Sequence, residues 1–183
     1  MRVEAERDRH IAILRARAIK EGIHPKGILT GEDLCSQRGP MISPRFLRQE
    51  YFSLMEYAME PLLDAGAKLI WHCDGDVRLL LQDILACGFS GLQGFQRECG
   101  MELEWIVDLK TRNNDPLIIY GDMSVTTTLP FSDPDGIRSA VAKTMATCKD
   151  KASLVFFTSN TILPDTPLEN VIAYWDAVKG SSW

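Results

Sequence analysis

The stretch 68-KLIWHCDGD-76 decides the fold class of this chain. It begins with a short apolar run, Lys68–His72, which shows no alternation with polar residues, and it passes directly into the polar residues Cys73–Asp76. A short run of this kind is typical of a strand that is buried on both faces of a parallel sheet. Functional groups in parallel α/β folds collect at the carboxyl ends of the strands. The stretch therefore predicts a βα unit whose strand ends at a candidate site.

The same pattern of apolar run, polar turn and amphipathic helix occurs five times along the chain. The predicted strands are Gly27–Leu34, Lys68–His72, Gly91–Phe95, Pro116–Tyr120 and Ser153–Phe157. Strands that alternate with helices predict βαβ units with right-handed crossovers and an α/β fold. A parallel barrel needs eight strands to close. The sheet is therefore either doubly wound or completed by strands from elsewhere.

Helix signals fill the intervals between these strands. The apolar spacing of residues 1–21 predicts a leading helix that ends at Gly22. Helix starts are predicted at Ser43-Pro44, Asp133-Pro134 and Thr166-Pro167, because a capping side chain before a proline favours the first helical turn. A further helix start is predicted at Asp76, whose side chain can cap a helix. No linker interrupts the pattern. We expect a single domain over residues 1–183, with a leading helix at 1–22 and βα units at 27–180.

Charge and composition exclude several classes of protein. The 183 residues have a net charge of −5, and no basic face of the kind that binds nucleic acid stands out. The five cysteines are scattered and form no CxxC pair, which predicts reduced thiols in a cytoplasmic protein. No apolar run approaches the roughly 18 residues of a membrane span. We expect a cytoplasmic protein that binds neither nucleic acid nor membranes.

The strand-end residues His72 and Asp74 are the sharpest candidates for chemistry. Two residues apart on an extended strand, they point to the same side, and a histidine beside a carboxylate suits either metal binding or proton transfer. The structural alternative is a hydrogen-bonded His72 with Asp74 capping the next helix. Asp33, near the end of the first predicted strand, and Asp122, just after the predicted strand Pro116–Tyr120, are further candidates. A phosphate-binding P-loop and a hydrolase nucleophile elbow are both absent from the sequence.

Several separated motifs carry a resemblance to a known family. They are Gly31–Leu34 with Gln37, Gly39–Pro44, His72–Gly75, Gly121–Ser124 and Ile162–Asn170. In this order, from about Gly27 to Lys179, the chain resembles the uroporphyrinogen decarboxylase superfamily, which includes decarboxylases and corrinoid-dependent methyltransferases. The resemblance implies the C-terminal half of a (β/α)8 barrel, with about five parallel strands that correspond to strands four to eight.

Departures from the family pattern bear on the activity. The decarboxylases carry an arginine-rich substrate loop, a catalytic aspartate and a tyrosine in their N-terminal half, and none of these has a counterpart here. Their C-terminal histidine falls at Asn160. The methyltransferases bind zinc through a His-x-Cys pair and a later cysteine. His72 matches that histidine, whereas Asp74 and Asn160 occupy the positions of the two cysteines, so the resemblance implies an altered site with His72 and Asp74 as ligands.

The leading prediction is a relative of the methyltransferases that act on small methylated substrates with zinc and a corrinoid protein partner. His72 and Asp74 serve as metal or proton-transfer groups. The predicted pocket residues are Asp33, Gln96, Asp122 and Asn160. Two alternatives remain open: a decarboxylase-like half completed by another chain, and a non-catalytic half-barrel. Because five strands leave free edges, we expect either a homodimer or a chain that supplies the N-terminal half-barrel.

Overall fold

A five-stranded parallel sheet lies at the centre of the computed structural model, which describes residues 1–182. The strands are β1 Gly27–Gly31, β2 Cys35–Ser36, β3 Gly39–Pro40, β4 Lys68–His72, β5 Gly91–Gln93, β6 Ile118–Met123 and β7 Ser153–Thr158. The helices are α1 Arg2–Lys20, α2 Pro44–Phe46, α3 Phe52–Asp64, α4 Leu81–Ala86, α5 Leu103–Ile106, α6 Thr128–Phe131, α7 Pro134–Cys148 and α8 Leu168–Gly180. A π-helical turn, Leu47–Tyr51, joins α2 to α3, and Arg97–Cys99 form a 3₁₀ turn.

The order of the sheet is β1-β4-β5-β6-β7, and every neighbouring pair is parallel. The short strands β2 and β3 form a separate antiparallel hairpin. Helices alternate with the strands of the main sheet, and within residues 1–182 the sheet does not close. The prediction of a partial barrel of five parallel strands is confirmed. No helix in this part of the chain is both long and apolar enough to cross a membrane.

The boundaries of four strands differ from the prediction, and β7 differs only in extending one residue further, to Thr158. Strand β1 ends at Gly31 rather than Leu34, because Gly31 has a φ of 140° and a Cβ there would lie 2.2 Å from the carbonyl oxygen of His72. Strand β5 is two residues shorter than predicted. Strand β6 continues to Met123, so that Asp122 lies within the strand and not in a loop after it.

The helix signals had mixed outcomes. Asp133 caps α7, since its side chain accepts a hydrogen bond from the Gly136 N–H at 2.7 Å. The helix predicted from Asp76 begins only at Leu81, because the Asp76 carboxylate instead accepts from the Arg78 N–H in a turn. Ser43 makes no capping hydrogen bond with its side chain. Of these signals, the helix start predicted at Asp76 was wrong, because α4 begins at Leu81.

Alternate residues of β4 face the helices and the concave side of the sheet. Leu69, Trp71 and Cys73 are buried in the main core, and the Trp71 ring meets Phe89 edge-to-face at 5.0 Å. Removing each of these aromatic side chains from water contributes about 2–3 kcal/mol. Since neighbouring residues of a strand point to opposite faces, His72 faces the concave side.

The concave side of the sheet is open. Leu29, Val155 and Phe157 are 49%, 39% and 43% exposed. The Tyr120 ring lies 6.1 Å from that of Phe157, and its hydroxyl lies 3.8 Å from the position of a Cβ built on Gly27, three strands away in the order of the sheet. The sheet is therefore strongly curled. It has the form of a half-barrel that exposes an apolar interior.

Candidate functional site

Three side chains converge where β1 and β4 end. Asp33, His72 and Asp74 each place one ligand atom within 4.8 Å of the others. The His72 Nε2 atom lies 3.5 Å from the Asp33 Oδ1 atom. The parallel register pairs Gly31 with His72, so that both strands end at the same level and their following residues meet. The Asp33 side chain is 57% exposed and the His72 side chain 28%, which leaves the cluster open to solvent.

Asp74 is held by two hydrogen bonds and has one free oxygen. Its backbone N–H donates to Asp33 Oδ1 at 2.9 Å, and its Oδ2 accepts from the Asn160 amide at 2.5 Å. Its Oδ1 atom is buried and has no partner within residues 1–182. Burial raises the pKa of the Asp74 carboxyl, against the opposing effects of His72 and Asn160. The structure thus brings together four residues named from the sequence: Asp33, His72, Asp74 and Asn160.

Gln93 also contacts the cluster, and the sequence analysis did not single it out. It is 5% exposed at the end of β5, and its Oε1 atom makes a short hydrogen bond with His72 Nδ1. Its Nε2 atom donates to the carbonyl oxygens of Thr158 and Ser159 at 2.9 Å each. A glutamine within a predicted buried strand was the available signal, because a buried amide needs hydrogen-bonding partners.

Gln96 supports the loop after β4. Its Oε1 atom accepts from the Gly75 N–H at 2.6 Å and from the Cys99 thiol at 3.6 Å. Gly75 has a φ of 81° and packs directly against the carbonyl oxygen of Ser36, so the loop has little freedom at this point. Through Gly75, Gln96 fixes the backbone beside Asp74.

Asp122 lies in a different environment. It is buried, and its carboxylate accepts from the Thr144 hydroxyl at 2.5 Å and pairs with the Arg97 guanidinium at 3.1 Å. Arg97 also pairs with Glu104 at 3.0 Å. A hydrogen bond from Lys143, at 2.9 Å, and the nearby Arg97 lower the pKa of Glu104 to about 2. The charge of Asp122 is therefore compensated within the fold, at the α7 side of the sheet.

Comparison with known proteins identifies the family. The sequence profile of the family described as Uroporphyrinogen decarboxylase (URO-D) matches residues 32–181. The chain belongs to the URO-D family. No curated protein sequence matches this URO-D chain.

A solved structure is similar to this URO-D chain in fold. It is a methyltransferase from Methanosarcina mazei, with a TM-score of 0.62 and 22% sequence identity. The similarity covers 93% of this chain and 46% of the methyltransferase. The URO-D chain thus spans about half the length of that protein, in agreement with its open half-barrel.

The imidazole of His72 and the carboxylates of Asp33 and Asp74 are suitable ligands for a divalent cation. In tetrahedral zinc sites the ligand atoms lie about 2.1 Å from the metal and hence about 3.4 Å from one another. The 3.5 Å separation of His72 Nε2 and Asp33 Oδ1 matches this spacing. The partnerless Asp74 Oδ1 atom offers a further lone pair. Imidazole and carboxylate ligands suit several divalent metals, including zinc.

A separate cavity lies on the other side of β1. It has a volume of about 480 Å³, opens to solvent and is lined by residues of α1, α3 and β1. Glu32 lines this cavity, whereas the adjacent residue Asp33 belongs to the cluster with His72 and Asp74. Burial, together with Asp8 and Glu4, raises the pKa of the Glu32 carboxyl. The cavity does not include the Asp33–His72–Asp74 cluster.

Proposed function

We propose that this URO-D chain binds a divalent cation through Asp33, His72 and Asp74 and takes part in methyl transfer from or to a small substrate. The observation that carries the proposal is the convergence of three acceptor groups within 4.8 Å. None of the ion pairs formed by lysine or arginine in residues 1–182 involves Asp33 or Asp74. Acceptor atoms that face one another repel unless a cation or proton lies between them.

The similar structure from Methanosarcina mazei supports methyl transfer over decarboxylation, because it is named a methyltransferase. We therefore propose zinc as the cation and a corrinoid protein as the partner that donates or accepts the methyl group. A bound zinc ion stabilises the deprotonated form of a thiol or another acceptor and so makes it a better nucleophile.

The residues of the chain have separate roles in this proposal. His72 and the two carboxylates bind the cation, and the solvent-exposed side of Asp33 leaves room for a substrate atom. Asn160 holds Asp74 through its amide at 2.5 Å and acts as a positioning residue. Of the two further residues that the sequence suggested for the pocket, Gln96 would act indirectly through the Gly75 loop, whereas Asp122 would stabilise the fold through the Arg97 ion pair.

The first experiment is the metal content of the purified protein, measured by mass spectrometry before and after His72→Ala. We expect near-stoichiometric zinc in the wild type and its loss in the variant, because a ligand is removed. His10→Ala is the matched control, since His10 is exposed on α1 and its ring is hydrogen-bonded to the Glu6 carbonyl. Wild-type protein that takes up no divalent metal, even after incubation with zinc, would refute the proposal.

A non-catalytic half-barrel is the second candidate function. The open concave face favours it, because Leu29, Val155 and Phe157 stay exposed at the centre of the fold. In such a protein the apolar face itself would be the binding surface. The absence of metal in both samples of the zinc experiment would support this candidate over methyl transfer.

We propose that a second copy of the chain covers the open edges. Strands β1 and β7 are the two edge strands of the same parallel sheet. A two-fold axis could therefore pair β1 of each copy with β7 of the other copy. The α8 side chains Leu168, Ile172 and Trp175 form an exposed apolar row. Light scattering after size exclusion should give the mass of two chains. A monomer at micromolar concentration would contradict the homodimer and favour a different chain that supplies the missing strands.

A further inference from the structure

Gln93 has a fixed orientation that determines what it offers to His72. Its Nε2 atom lies 2.9 Å from the carbonyl oxygen of Thr158 and 2.9 Å from that of Ser159. Carbonyl oxygens only accept hydrogen bonds, so the nitrogen end of the amide must face them. The opposite end, Oε1, must then face His72. The two carbonyls thereby exclude the flipped amide.

The orientation of Gln93 in turn decides where the proton of His72 lies. Oε1 has no hydrogen to donate, and it is hydrogen-bonded to His72 Nδ1. That nitrogen must therefore carry the proton. In a neutral imidazole the other nitrogen, Nε2, then has a lone pair. Nε2 is the atom that lies 3.5 Å from Asp33 Oδ1, within the cluster.

The backbone at the end of β5 makes this contact possible. Gly94 follows Gln93 with a φ of 95°. A Cβ at this position would lie 2.7 Å from the carbonyl oxygen of Cys73 and 3.2 Å from His72 Nδ1. The glycine lets β5 approach the end of β4 closely enough for the Gln93 amide to reach the imidazole. Gln93 and Gly94 thus both contribute to the hydrogen bond with His72.

We infer that Gln93 is a positioning residue that holds neutral His72 in the Nδ1–H tautomer and directs the Nε2 lone pair into the cluster. Hydrogen bonds to the outer nitrogen of a metal-bound histidine fix its tautomer and its ring orientation. The role of Gln93 in metal binding rests on the proposed function. The tautomer of His72 in the metal-free protein follows from the hydrogen bonds alone.

Nitrogen-15 NMR of histidine-labelled protein tests the inference directly. The spectrum is recorded in EDTA, at a pH at which His72 is neutral, with His72→Ala used to assign the signals. We expect the Nδ1 signal of His72 to be of the protonated type and the Nε2 signal of the unprotonated type. A proton that resides mainly on Nε2 in the wild type would overturn the inference without any variant at position 93.

Substitution of Gln93 tests its causal role. Gln93→Leu removes the acceptor, and we expect a mixture of both tautomers together with a zinc affinity that is about 10–100-fold weaker. Gln93→Glu, as the neutral acid, keeps an acceptor oxygen for His72 and a donor for the Thr158 and Ser159 carbonyls, so it should retain the proton on Nδ1. Gln82→Leu, on the exposed side of α4, is the control and should change neither measurement.

The outcomes separate this inference from the proposed function. If the wild type shows the Nδ1–H tautomer but binds no metal, the function proposal fails and the assignment of Gln93 stands. If Gln93→Leu folds and keeps the wild-type tautomer, Gln93 does not determine it and the inference fails. Should Gln93→Leu not fold, the wild-type spectrum and Gln93→Glu still decide the result.

Discussion

Asp74 and Asp122 are two aspartates near the carboxyl ends of strands in one sheet, and their surroundings differ in one respect. Asp122 is buried against the Arg97 guanidinium at 3.1 Å and receives a hydrogen bond from Thr144. Asp74 faces His72 and Asp33, and its buried Oδ1 atom has no partner in the described chain. A buried carboxylate paired with an arginine supports the fold. The convergence of Asp74 with His72 and Asp33 is the arrangement on which the proposed cation site rests.

The largest expected effect on stability follows from breaking the compensated pair. Asp122→Asn keeps an acceptor for Thr144 but removes the charge that faces Arg97. Breaking one side of a buried ion pair is strongly destabilising, and partial exposure of Arg97 reduces the effect, so we expect a loss of about 3 kcal/mol. Urea unfolding followed by circular dichroism measures the free energy of unfolding.

The control for this change is Asp135→Asn, which removes the exposed ion pair with Arg138. Exposed pairs contribute little, so the change should stay within about 0.5 kcal/mol. Zinc affinity should be unaffected by Asp122→Asn in the protein that remains folded. Loss of zinc binding in that fraction would place Asp122 in the cation site and remove the contrast with Asp74.

A smaller effect of opposite sign is expected at Asp74. Asp74→Asn removes a desolvated charge whose Oδ1 atom has no partner, so the metal-free protein should become more stable by about 1 kcal/mol at neutral pH. The same change should weaken zinc binding by at least about tenfold, because a carboxylate ligand is lost. Urea unfolding in EDTA and zinc titration measure the two effects separately.

The pH dependence sharpens this prediction. The pKa of the folded-state Asp74 carboxyl is raised above its ordinary value of 3.8, so the wild type loses stability as the pH rises from 3.8 through the folded-state pKa. The gain in the free energy of unfolding that Asp74→Asn produces should therefore be present at neutral pH and should decrease as the pH falls through that range. An advantage that stays constant down to pH 3.8 would show that the Asp74 charge is not its cause.

Much of the fold followed from local sequence, and particular residues show the limits. The run Lys68–His72 was predicted with its observed boundaries, because an apolar strand bounded by polar residues is a local signal. The predicted end of β1 was wrong, since it depends on how closely Gly31 packs against the His72 backbone. The helix start at Asp76 was wrong because a capping residue forms a turn equally well.

The candidate site shows the same division. Two-residue spacing on a strand was enough to direct His72 and Asp74 to one side. The contribution of Gln93 could not be predicted, because its partners lie on other strands, at His72, Thr158 and Ser159.

The sequence by itself determined the fold class, the number of strands in the main sheet and the membership in the URO-D family. These properties depend on periodicity and on motifs that each consist of a few consecutive residues. The tertiary structure alone decided that Asp33, His72, Asp74 and Asn160 meet, and that Asp122 pairs with Arg97 instead. The physical reason is that the compensation of a buried charge depends on the groups that packing brings within a few ångströms, and those groups are distant in sequence.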